Sequence, residues 1–302
     1  MISVLIPVYN TQVVLLINEL SRQLNHLNVE GEIVVFDDHS SATFRELNTP
    51  IRDLNNVRYE ERQKNYGRTH IRQLLASDAK YEWLLFIDSD SRILNTDFLQ
   101  RYISVLNKGY DVYIGGRLYP PKPEECNKRL HWKYGTERES IKGNKTALHS
   151  NNFCIRKEVF NQLKFPDFFK HYGHEDTWMG IELERLQKKI LHIDNPVEHL
   201  NIENTPTFLK KTHQALENLF LLKSAVDESE LINHVSLFSA YHKVKKNHLG
   251  FLVIFFYHVF EKKFANNLNS CKPSLFVLDF YKLYHFIQLS KREISLQSLK
   301  IS

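Results

Sequence analysis

Two carboxylates separated by one residue follow a strongly apolar segment of the chain. The segment is Trp83–Ile87, and Asp88-Ser89-Asp90 comes directly after it. In an extended backbone residues i and i+2 point to the same side, so Asp88 and Asp90 can face one pocket. Carboxylate oxygens are preferred ligands of Mg²⁺ and Mn²⁺, which also bind phosphate groups. The pattern indicates a divalent-metal site that neutralises a diphosphate leaving group. The alternative is an ordinary acidic turn.

Polar residues also follow two other predicted strands. The first ends in Pro7-Val8-Tyr9-Asn10 and the second in Asp37-Asp38-His39-Ser40. Ligands of parallel sheets bind beyond the carboxyl ends of the strands. A carboxylate there can accept a hydrogen bond from a base N–H, while Tyr9 or Asn10 contacts base or ribose. Capping of the next helix by Asp38 and Ser40 is an alternative that is compatible with this one.

A second acidic segment, Gly173-His174-Glu175-Asp176, precedes a predicted helix over 177–188. A carboxylate at a helix N-terminus stays ionised, and it can take a proton from a sugar hydroxyl during attack. Simple helix capping is the alternative. His199 follows a strand-like segment at 190–193 and an Asn-Pro turn, and its imidazole can complete a metal site of mixed oxygen and nitrogen ligands. A structural role is the alternative for this histidine.

Apolar, β-branched segments alternate with amphipathic ones and predict the scaffold of these residues. Alternation of this kind is typical of an α/β fold with a mostly parallel central sheet and helices on both faces. The predicted strands are 2–8, 32–36, 57–60, 83–87 and 112–115, and the predicted helices are 12–27, 43–47, 68–77 and 97–107.

The remainder of the chain divides into a loop and a helical end. Residues 120–145 have no clear period and are predicted to form a long surface loop. After about residue 205 strand signals nearly vanish. We therefore expect a catalytic domain over 1–220 and a helical C-terminal extension over 221–302.

Composition restricts the environment of the protein. The 302 residues, 42% of them hydrophobic, suffice for one large domain with an appendage. The N-terminus lacks the features of a signal peptide. Three widely spaced cysteines (126, 154 and 271) argue against a disulfide framework and favour a reducing cytoplasm. Residues 241–302 hold ten Lys/Arg and three Asp/Glu, so the net charge of +5 comes from a basic tail. An anionic partner such as a lipid surface and an ordinary solvated basic face are both compatible with it.

Taken together, these segments resemble the family 2 glycosyltransferases of the GT-A fold, a mostly inverting family. The resemblance covers about residues 1–220 and rests on the order of several motifs. The segment Tyr172–Thr177 also looks like the acidic motif of galactosyl- and N-acetylgalactosaminyl-transferases. The motifs in order are Pro7–Asn10, Asp37–Ser40, Asn65-Tyr66-Gly67 with Arg72, Asp88–Asp90, Asn152-Phe153, Glu175-Asp176 and His199.

The resemblance implies a function and a role for each of these positions. It implies transfer of a hexose or N-acetylhexosamine from a nucleotide-diphosphate sugar, first of all a UDP-sugar, to a glycan or lipid-linked acceptor, with inversion and with Mn²⁺ or Mg²⁺. The implied metal ligands are Asp90 and His199, the general base is Asp176, and Glu175 orients the acceptor. The implied donor contacts are Pro7, Tyr9, Asn10, Asp38, Arg72, Asp88 and Asn152.

The sequence departs from the family pattern at four positions. His39 and Asn151 stand where glycine is frequent, Gln73 replaces a frequent asparagine, and Trp178 follows Thr177 where an acidic or aliphatic residue is usual. None of these departures removes a carboxylate. They bear on which sugar is transferred rather than on the class of reaction.

The apolar run at 249–260 is too short to span a bilayer, which takes about 20 residues. Lys262-Lys263 follow it, and an aromatic stretch comes at 276–287. Three interpretations stay open: helices packed on the catalytic domain, a homodimer interface, and an interfacial membrane anchor on a cytoplasmic protein.

Two other functions compete with catalysis of sugar transfer. One is an inactive GT-A domain that binds nucleotide sugar as a partner subunit. Its sequence would lack the base or a metal ligand, whereas candidates for both are present here. The other is a nucleotidyltransferase, which would have a glycine-rich basic loop after the first strand. Nucleic-acid binding is not expected, because the basic residues form no recognisable module.

Overall fold

The computed structural model of the chain describes residues 1–27, 29–140, 148–169 and 173–299, with side chains up to residue 291. It divides into two compact units that are discontinuous in sequence. The first comprises residues 1–120, 135–166 and 182–201, and the second comprises 121–134, 167–181 and 202–302. The division of the chain at residue 220 stays a prediction.

The first unit contains a seven-stranded sheet of order β3-β2-β1-β4-β8-β6-β9. Its strands are β1 (Ile2–Val8), β2 (Gly31–Asp37), β3 (Val57–Glu61), β4 (Trp83–Ile87), β6 (Val112–Ile114), β8 (Asn152–Arg156) and β9 (Ile190–His192). The strands β3, β2, β1 and β4 are parallel neighbours, whereas β8 runs antiparallel to both β4 and β6. The predicted, mostly parallel α/β fold is confirmed.

Buried residues alternate between the two faces of this sheet because strand side chains have a period of two. Val4 and Ile6 of β1 pack with Leu16 and Ile17 of helix α1 in one core cluster. The opposite face packs against helix α3. The helices of this part of the chain are α1 (Val14–Asn25), α2 (Ala42–Asn48), α3 (Arg68–Asp78), α4 (Phe98–Ile103) and α6 (Lys157–Phe160).

A second sheet of three short strands lies in the same unit and has the order β5-β10-β7. The strands are β5 (Ser91–Ile93), β7 (Arg117–Leu118) and β10 (Val197–His199). Because β10 pairs antiparallel with β5, His199 is placed opposite Ser91. This pairing brings a residue from late in the chain beside the Asp88–Asp90 segment.

The second unit is helical in the part that the structure describes. Its helices are α5 (Arg129–Tyr134), α8 (Thr205–Leu222), α9 (Glu228–His234), α10 (Ser236–Lys246), α11 (Gly250–Leu268) and α12 (Leu275–Leu299), while α7 (Glu175–Arg185) begins in this unit. The predicted loop over 120–145 is corrected here: residues 126–139 are helical, and residues 141–147 lie outside the described residues. Leu130 anchors α5 in an apolar cluster with Phe208, Leu268 and Leu278.

The prediction from the cysteines is also corrected. Cys126 and Cys271 form a disulfide with their Cα atoms 4.3 Å apart, and Cys154 is a buried free thiol. The two bonded residues are 145 positions apart, so no local spacing of cysteines in the sequence predicts the bond. Among the described residues, no helix has the length and apolarity that a membrane span requires.

Candidate active site

The two aspartates of the central motif lie where β4 ends and β5 begins. The Asp88 backbone N–H donates to the carbonyl of Asn151 at 2.9 Å, and Ser91 N–H donates to the carbonyl of Asp88 at 3.2 Å. These bonds close a turn that carries both carboxylates. Each side chain is partly buried, with Asp88 20% and Asp90 26% exposed.

Asp90 is paired with His199. Asp90 Oδ1 lies 3.4 Å from His199 Nδ1, and Leu200 N–H donates to the Asp90 carbonyl at 2.8 Å. Burial by itself would raise the pKa of Asp90. The hydrogen bond and charge of His199, with the charges of Arg68 and Arg117, instead lower that pKa to about 2. Asp90 is therefore a carboxylate at physiological pH, and its oxygen lies beside an imidazole nitrogen. The assignment of both residues as metal ligands stays a prediction.

Asp88 has different neighbours. Arg72 Nη2 donates to Asp88 Oδ1 at 2.5 Å, and Arg68 Nη2 lies 3.6 Å from Asp88 Oδ2. The Arg72 side chain is 8% exposed and also donates to the carbonyl of Ser150 at 3.3 Å. Arg72, which was predicted near the donor, therefore holds Asp88 in place, and the guanidinium of Arg68 adds positive charge.

Asp38 at the end of β2 is buried and accepts two backbone hydrogen bonds. Tyr66 N–H donates to Oδ1 at 2.7 Å and Gly67 N–H donates to Oδ2 at 2.9 Å. Burial raises the pKa of Asp38, and these two donors oppose that rise. The side chain thus fixes the 65–67 segment at the strand edge.

Asn10 and Ser40 join the ends of β1 and β2. Asn10 N–H donates to Ser40 Oγ at 2.8 Å, and Ser41 N–H donates to Asn10 Oδ1 at 2.9 Å. The N-cap residue of α2 is Ser41, and its side chain makes no capping bond. The alternative in which Asp38 and Ser40 cap this helix is therefore not observed. Next to Asn10, Pro7 lies within β1 and Tyr9 is 53% exposed at the strand end.

His39 and Asn10 both have a positive φ, of 66° and 49°. In this left-handed region side chains other than glycine are uncommon, although Asn and His are enriched among the exceptions. The position where the family often has glycine therefore keeps the backbone conformation that glycine favours.

Asn152 is fully buried within the sheet. Its amide donates to the carbonyls of Gly116 at 3.0 Å and Asn195 at 2.9 Å, and its Oδ1 accepts from Tyr102 Oη at 2.7 Å. Gly115 leaves room for this network, since a Cβ there would lie 2.4 Å from the amide nitrogen. These bonds give Asn152 a positioning role, and its contact with the donor sugar stays a prediction.

Several residues that the sequence did not single out surround the Asp90–His199 pair. Arg117 Nη1 lies 3.2 Å from the Glu139 carboxylate, which also accepts from Tyr119 Oη. The Tyr119 ring meets the His199 ring edge to face at 5.4 Å. Burial, followed by the charge of Arg117, lowers the pKa of His149 to about 4. Arg117 follows a strand, β6, so the rule that selected Asp38 and Asp88 could have found it.

The acidic motif of the second unit is anchored to helix α8. Asn218 donates to the Gly173 carbonyl at 2.9 Å, and a Cβ on Gly173 (φ 106°) would lie 2.5 Å from Ala215 Cβ. Gly173 N–H donates to Glu175 at 3.0 Å, and Asp176 accepts the N–H of Thr177 at 2.9 Å. Both carboxylates lie in the first turn of α7, which favours their ionised form. Tyr172 of the quoted motif lies outside the described residues.

The side chains of the first unit are suited to holding a metal ion that in turn binds an anionic ligand. Asp90 and His199 offer a carboxylate oxygen and an imidazole nitrogen, and the guanidinium groups of Arg68 and Arg117 are close enough to lower the pKa of Asp90. Among the described residues no cluster of three or more acidic, histidine or cysteine side chains forms a complete metal site. Further ligands would come from a diphosphate and water.

A sequence profile of the family described as "Glycosyl transferase family 2" matches residues 3–164. No curated protein matches the chain significantly in sequence.

Three solved structures are similar to the chain at low identity. A mannosyltransferase from Pyrobaculum calidifontis, in complex with GDP-Man and Mn²⁺, has a TM-score of 0.51 at 13% identity over 71% of this chain and 61% of its own. A glucosyl-3-phosphoglycerate synthase from Mycobacterium tuberculosis, in complex with Mn²⁺, UDP and phosphoglyceric acid, has a TM-score of 0.51 at 16% identity over 72% of this chain and 77% of its own. Residues 1–349 of TarS from S. aureus have a TM-score of 0.50 at 18% identity over 97% of this chain and 91% of their own length. The match thus spans less than two thirds of the mannosyltransferase chain. At these identities the likeness establishes the fold.

Proposed function

Because the chain belongs to glycosyltransferase family 2, we propose that it moves a hexose or N-acetylhexosamine from a nucleotide-diphosphate sugar to an acceptor hydroxyl. A UDP-sugar is the proposed donor. The proposed acceptor is a glycan, such as a growing surface polysaccharide, or a lipid-linked oligosaccharide. The observation that carries the proposal is the pairing of Asp90 with His199 at the carboxyl edge of the sheet, 3.4 Å apart.

Mn²⁺ or Mg²⁺ is the proposed cofactor, and the residues present suit it. One carboxylate and one imidazole form the mixed donor set that Mn²⁺ accepts, and both ions commonly complete their coordination with substrate phosphates and water. When bound, the ion would neutralise the negative charge that develops on the diphosphate. Two of the similar structures hold Mn²⁺ with a nucleotide or nucleotide sugar, which supports this choice.

The chain's own residues have distinct proposed tasks. Arg68 and Arg117 supply fixed positive charge beside Asp90, where a diphosphate would bind. Asp88, held by Arg72, is proposed to contact the ribose or sugar. Asp38 holds the 65–67 segment through its amides, and this segment together with Pro7, Tyr9 and Asn10 is proposed to form the base site.

The proposed chemistry is a single in-line displacement. The acceptor oxygen attacks the anomeric carbon, the bond from that carbon to the diphosphate oxygen breaks, and the configuration inverts. Asp176 takes the proton of the acceptor hydroxyl as its oxygen attacks, while Glu175 orients the acceptor. The position of both carboxylates in the first turn of α7, where the helix dipole favours negative charge, supports these roles.

The proposed compartment is the cytoplasm, at the inner face of the membrane. Disulfides are rare in reducing compartments. In the proposed compartment Cys126 and Cys271 would be thiols in the cell, and their bond would form on oxidation of the isolated protein. An intact disulfide in protein alkylated directly in cells would contradict this compartment.

The experiment is nucleotide release from a panel of UDP-, GDP- and dTDP-sugars, with Mn²⁺ or with chelator. The variants are Asp90→Ala and Asp176→Asn, and Asp97→Ala is the matched control because Asp97 lies on the surface. We expect hydrolysis of one donor that chelator and Asp90→Ala abolish. Asp176→Asn should keep donor binding and lose transfer. Metal-independent release, or unchanged release by Asp90→Ala, would contradict the proposal. If no donor turns over, calorimetry with the same panel separates an inactive binding domain from an enzyme that requires its acceptor.

A further inference from the structure

Helix α11 has two apolar faces, and the chain itself buries one of them. Val253, Tyr257 and Leu268 are buried. Tyr257 stacks on Tyr284 of α12 with ring centroids 3.6 Å apart, and Phe264 meets Phe280 of α12 at 5.5 Å. The neighbouring helix α12 therefore covers this face of α11. Packing of the C-terminal helices on the catalytic domain stays a prediction.

The other face of α11 is exposed and consists of large apolar side chains. Phe251 is 63% exposed, Phe255 60% and Val259 57%, and Leu252 and Phe256 are also exposed. At 100° per residue these five positions span an arc of about 140°, separate from the face that packs on α12. We call these five residues the α11 apolar face. Exposed apolar clusters of this kind mark interaction sites.

Lysines border the α11 apolar face along the helix axis. Lys262 and Lys263 are exposed and continue the same arc at its carboxyl end. Lys243, Lys245 and Lys246 at the end of α10 are exposed just before α11 begins. Glu261 is the only acidic residue between 241 and 276, a stretch with six lysines. The apolar side chains are therefore bordered by positive charge before and after them.

The positive charge of these lysines favours one binding partner of the α11 apolar face over another. Two copies of the chain that met through this face would bring their lysines together, and like charges across an interface are unfavourable. A bilayer with anionic headgroups would bind the lysines while its acyl region received the aromatic side chains. The apolar part, residues 251–259, is about 14 Å long at 1.5 Å per residue, which suits a helix lying in the interface.

We propose that the α11 apolar face and its flanking lysines form a docking surface for an anionic lipid bilayer, with α11 lying in the plane of the membrane. This inference does not rest on the proposed sugar transfer. A lipid-linked acceptor would be presented to an enzyme held at such a surface.

The test is sedimentation of the full chain with vesicles of phosphatidylcholine alone or mixed with phosphatidylglycerol. One variant is Phe251→Ser with Phe255→Ser, and the other is Lys262→Glu with Lys263→Glu. The controls are Leu15→Ser, which removes an 86% exposed apolar side chain from α1, and Lys108→Glu, which reverses an exposed charge elsewhere. All changed side chains are exposed, and circular dichroism checks that each variant is folded.

We expect the wild type and both controls to bind the mixed vesicles and not phosphatidylcholine alone. Each α11 variant should lower the bound-to-free ratio by about tenfold or more, since each lysine near an anionic surface is worth about fivefold. Unchanged binding by both α11 variants would overturn the proposal. So would failure of the wild type to bind, or a dimer seen by analytical ultracentrifugation without lipid that Phe251→Ser with Phe255→Ser dissociates. Nucleotide release without lipid should be equal in all variants, which separates failure of this inference from failure of the proposed function.

Discussion

The guanidinium of Arg72 donates a 2.5 Å hydrogen bond to the carboxylate of Asp88, although Arg72 lies in helix α3 and Asp88 follows strand β4. The side chain of Arg72 is 8% exposed. This buried ion pair links the helix to the edge of the sheet. Because Asp88 is two residues before Asp90, the pair also restrains the turn that carries the candidate metal ligand.

Replacing Arg72 with methionine removes this restraint. We expect the variant to lose about 2–4 kcal/mol of unfolding free energy, because the partly buried Asp88 carboxylate keeps only the more distant Arg68 as a charge partner. We also expect a higher KM for the donor, because the turn is no longer held. Urea unfolding and donor titration measure the two effects. Arg101→Met, which breaks an exposed ion pair with Asp97, is the control and should change neither. Wild-type stability in Arg72→Met would contradict the role of the pair.

Replacing Asn152 with aspartate tests its role in the fold. The substitution keeps the shape but removes the two N–H donors that bind the carbonyls of Gly116 and Asn195. We expect a loss of about 2–4 kcal/mol, since buried acceptors would face each other without a donor. Thermal and urea unfolding measure this loss. A variant as stable as the wild type would show that the amide network contributes little.

Reduction of the Cys126–Cys271 bond should destabilise the helical unit. A crosslink between residues 145 positions apart restricts the unfolded chain strongly, and we expect Cys126→Ser to cost about 2–5 kcal/mol. Unfolding with and without reductant should show the same difference in the wild type and none in the variant. Mass spectrometry after alkylation should find Cys154 blocked only in unfolded protein, because that thiol is buried. Three reactive thiols in the oxidised, folded protein would contradict the structure.

Two histidines of the helical unit should make stability depend on pH. His213 and His285 lie with ring centroids 4.3 Å apart, and burial lowers the pKa of both, that of His285 to about 4. A lowered pKa means that the unfolded chain binds protons first as pH falls. Stability is therefore greatest above about pH 6.5 and declines from there toward pH 4. The melting temperature of His285→Phe should fall less between pH 7 and pH 5 than that of the wild type. An equal or larger fall in the variant would contradict this assignment.

Much of the scaffold could be predicted from the sequence because its signals are local. The strands β1, β2 and β4 are buried apolar runs, and the residues after them were selected by one rule for parallel sheets. That rule predicted that Asp38, Asp88 and Asp90 lie at the same edge of the sheet. Asp90 and His199 were connected only because the family resemblance implies that both bind the metal. The β5–β10 ladder is the observed feature that places them side by side.

Other features could not be predicted because they depend on distant partners. The strands β5, β7 and β10 have two or three residues, too few to show a period. The disulfide and the burial of Asn152 depend on contacts across many residues. Helix α5 lacks a long amphipathic pattern and is held by Leu130 in a cluster contributed by distant helices. The backbone conformation of His39 could not be predicted either. The residue type differs from the glycine that is frequent in the family, yet the backbone is left-handed as glycine favours.

The most direct test of the central claim is Mn²⁺ binding measured by electron paramagnetic resonance in the presence of UDP. The wild type and the surface control Asp97→Asn should bind one Mn²⁺ with equal affinity. Asp90→Asn and His199→Ala should each weaken binding by about tenfold or more, because each removes a proposed ligand. If both variants bind Mn²⁺ and UDP as tightly as the wild type, the Asp90–His199 pair is not the metal site and the proposed role of the sheet edge is wrong.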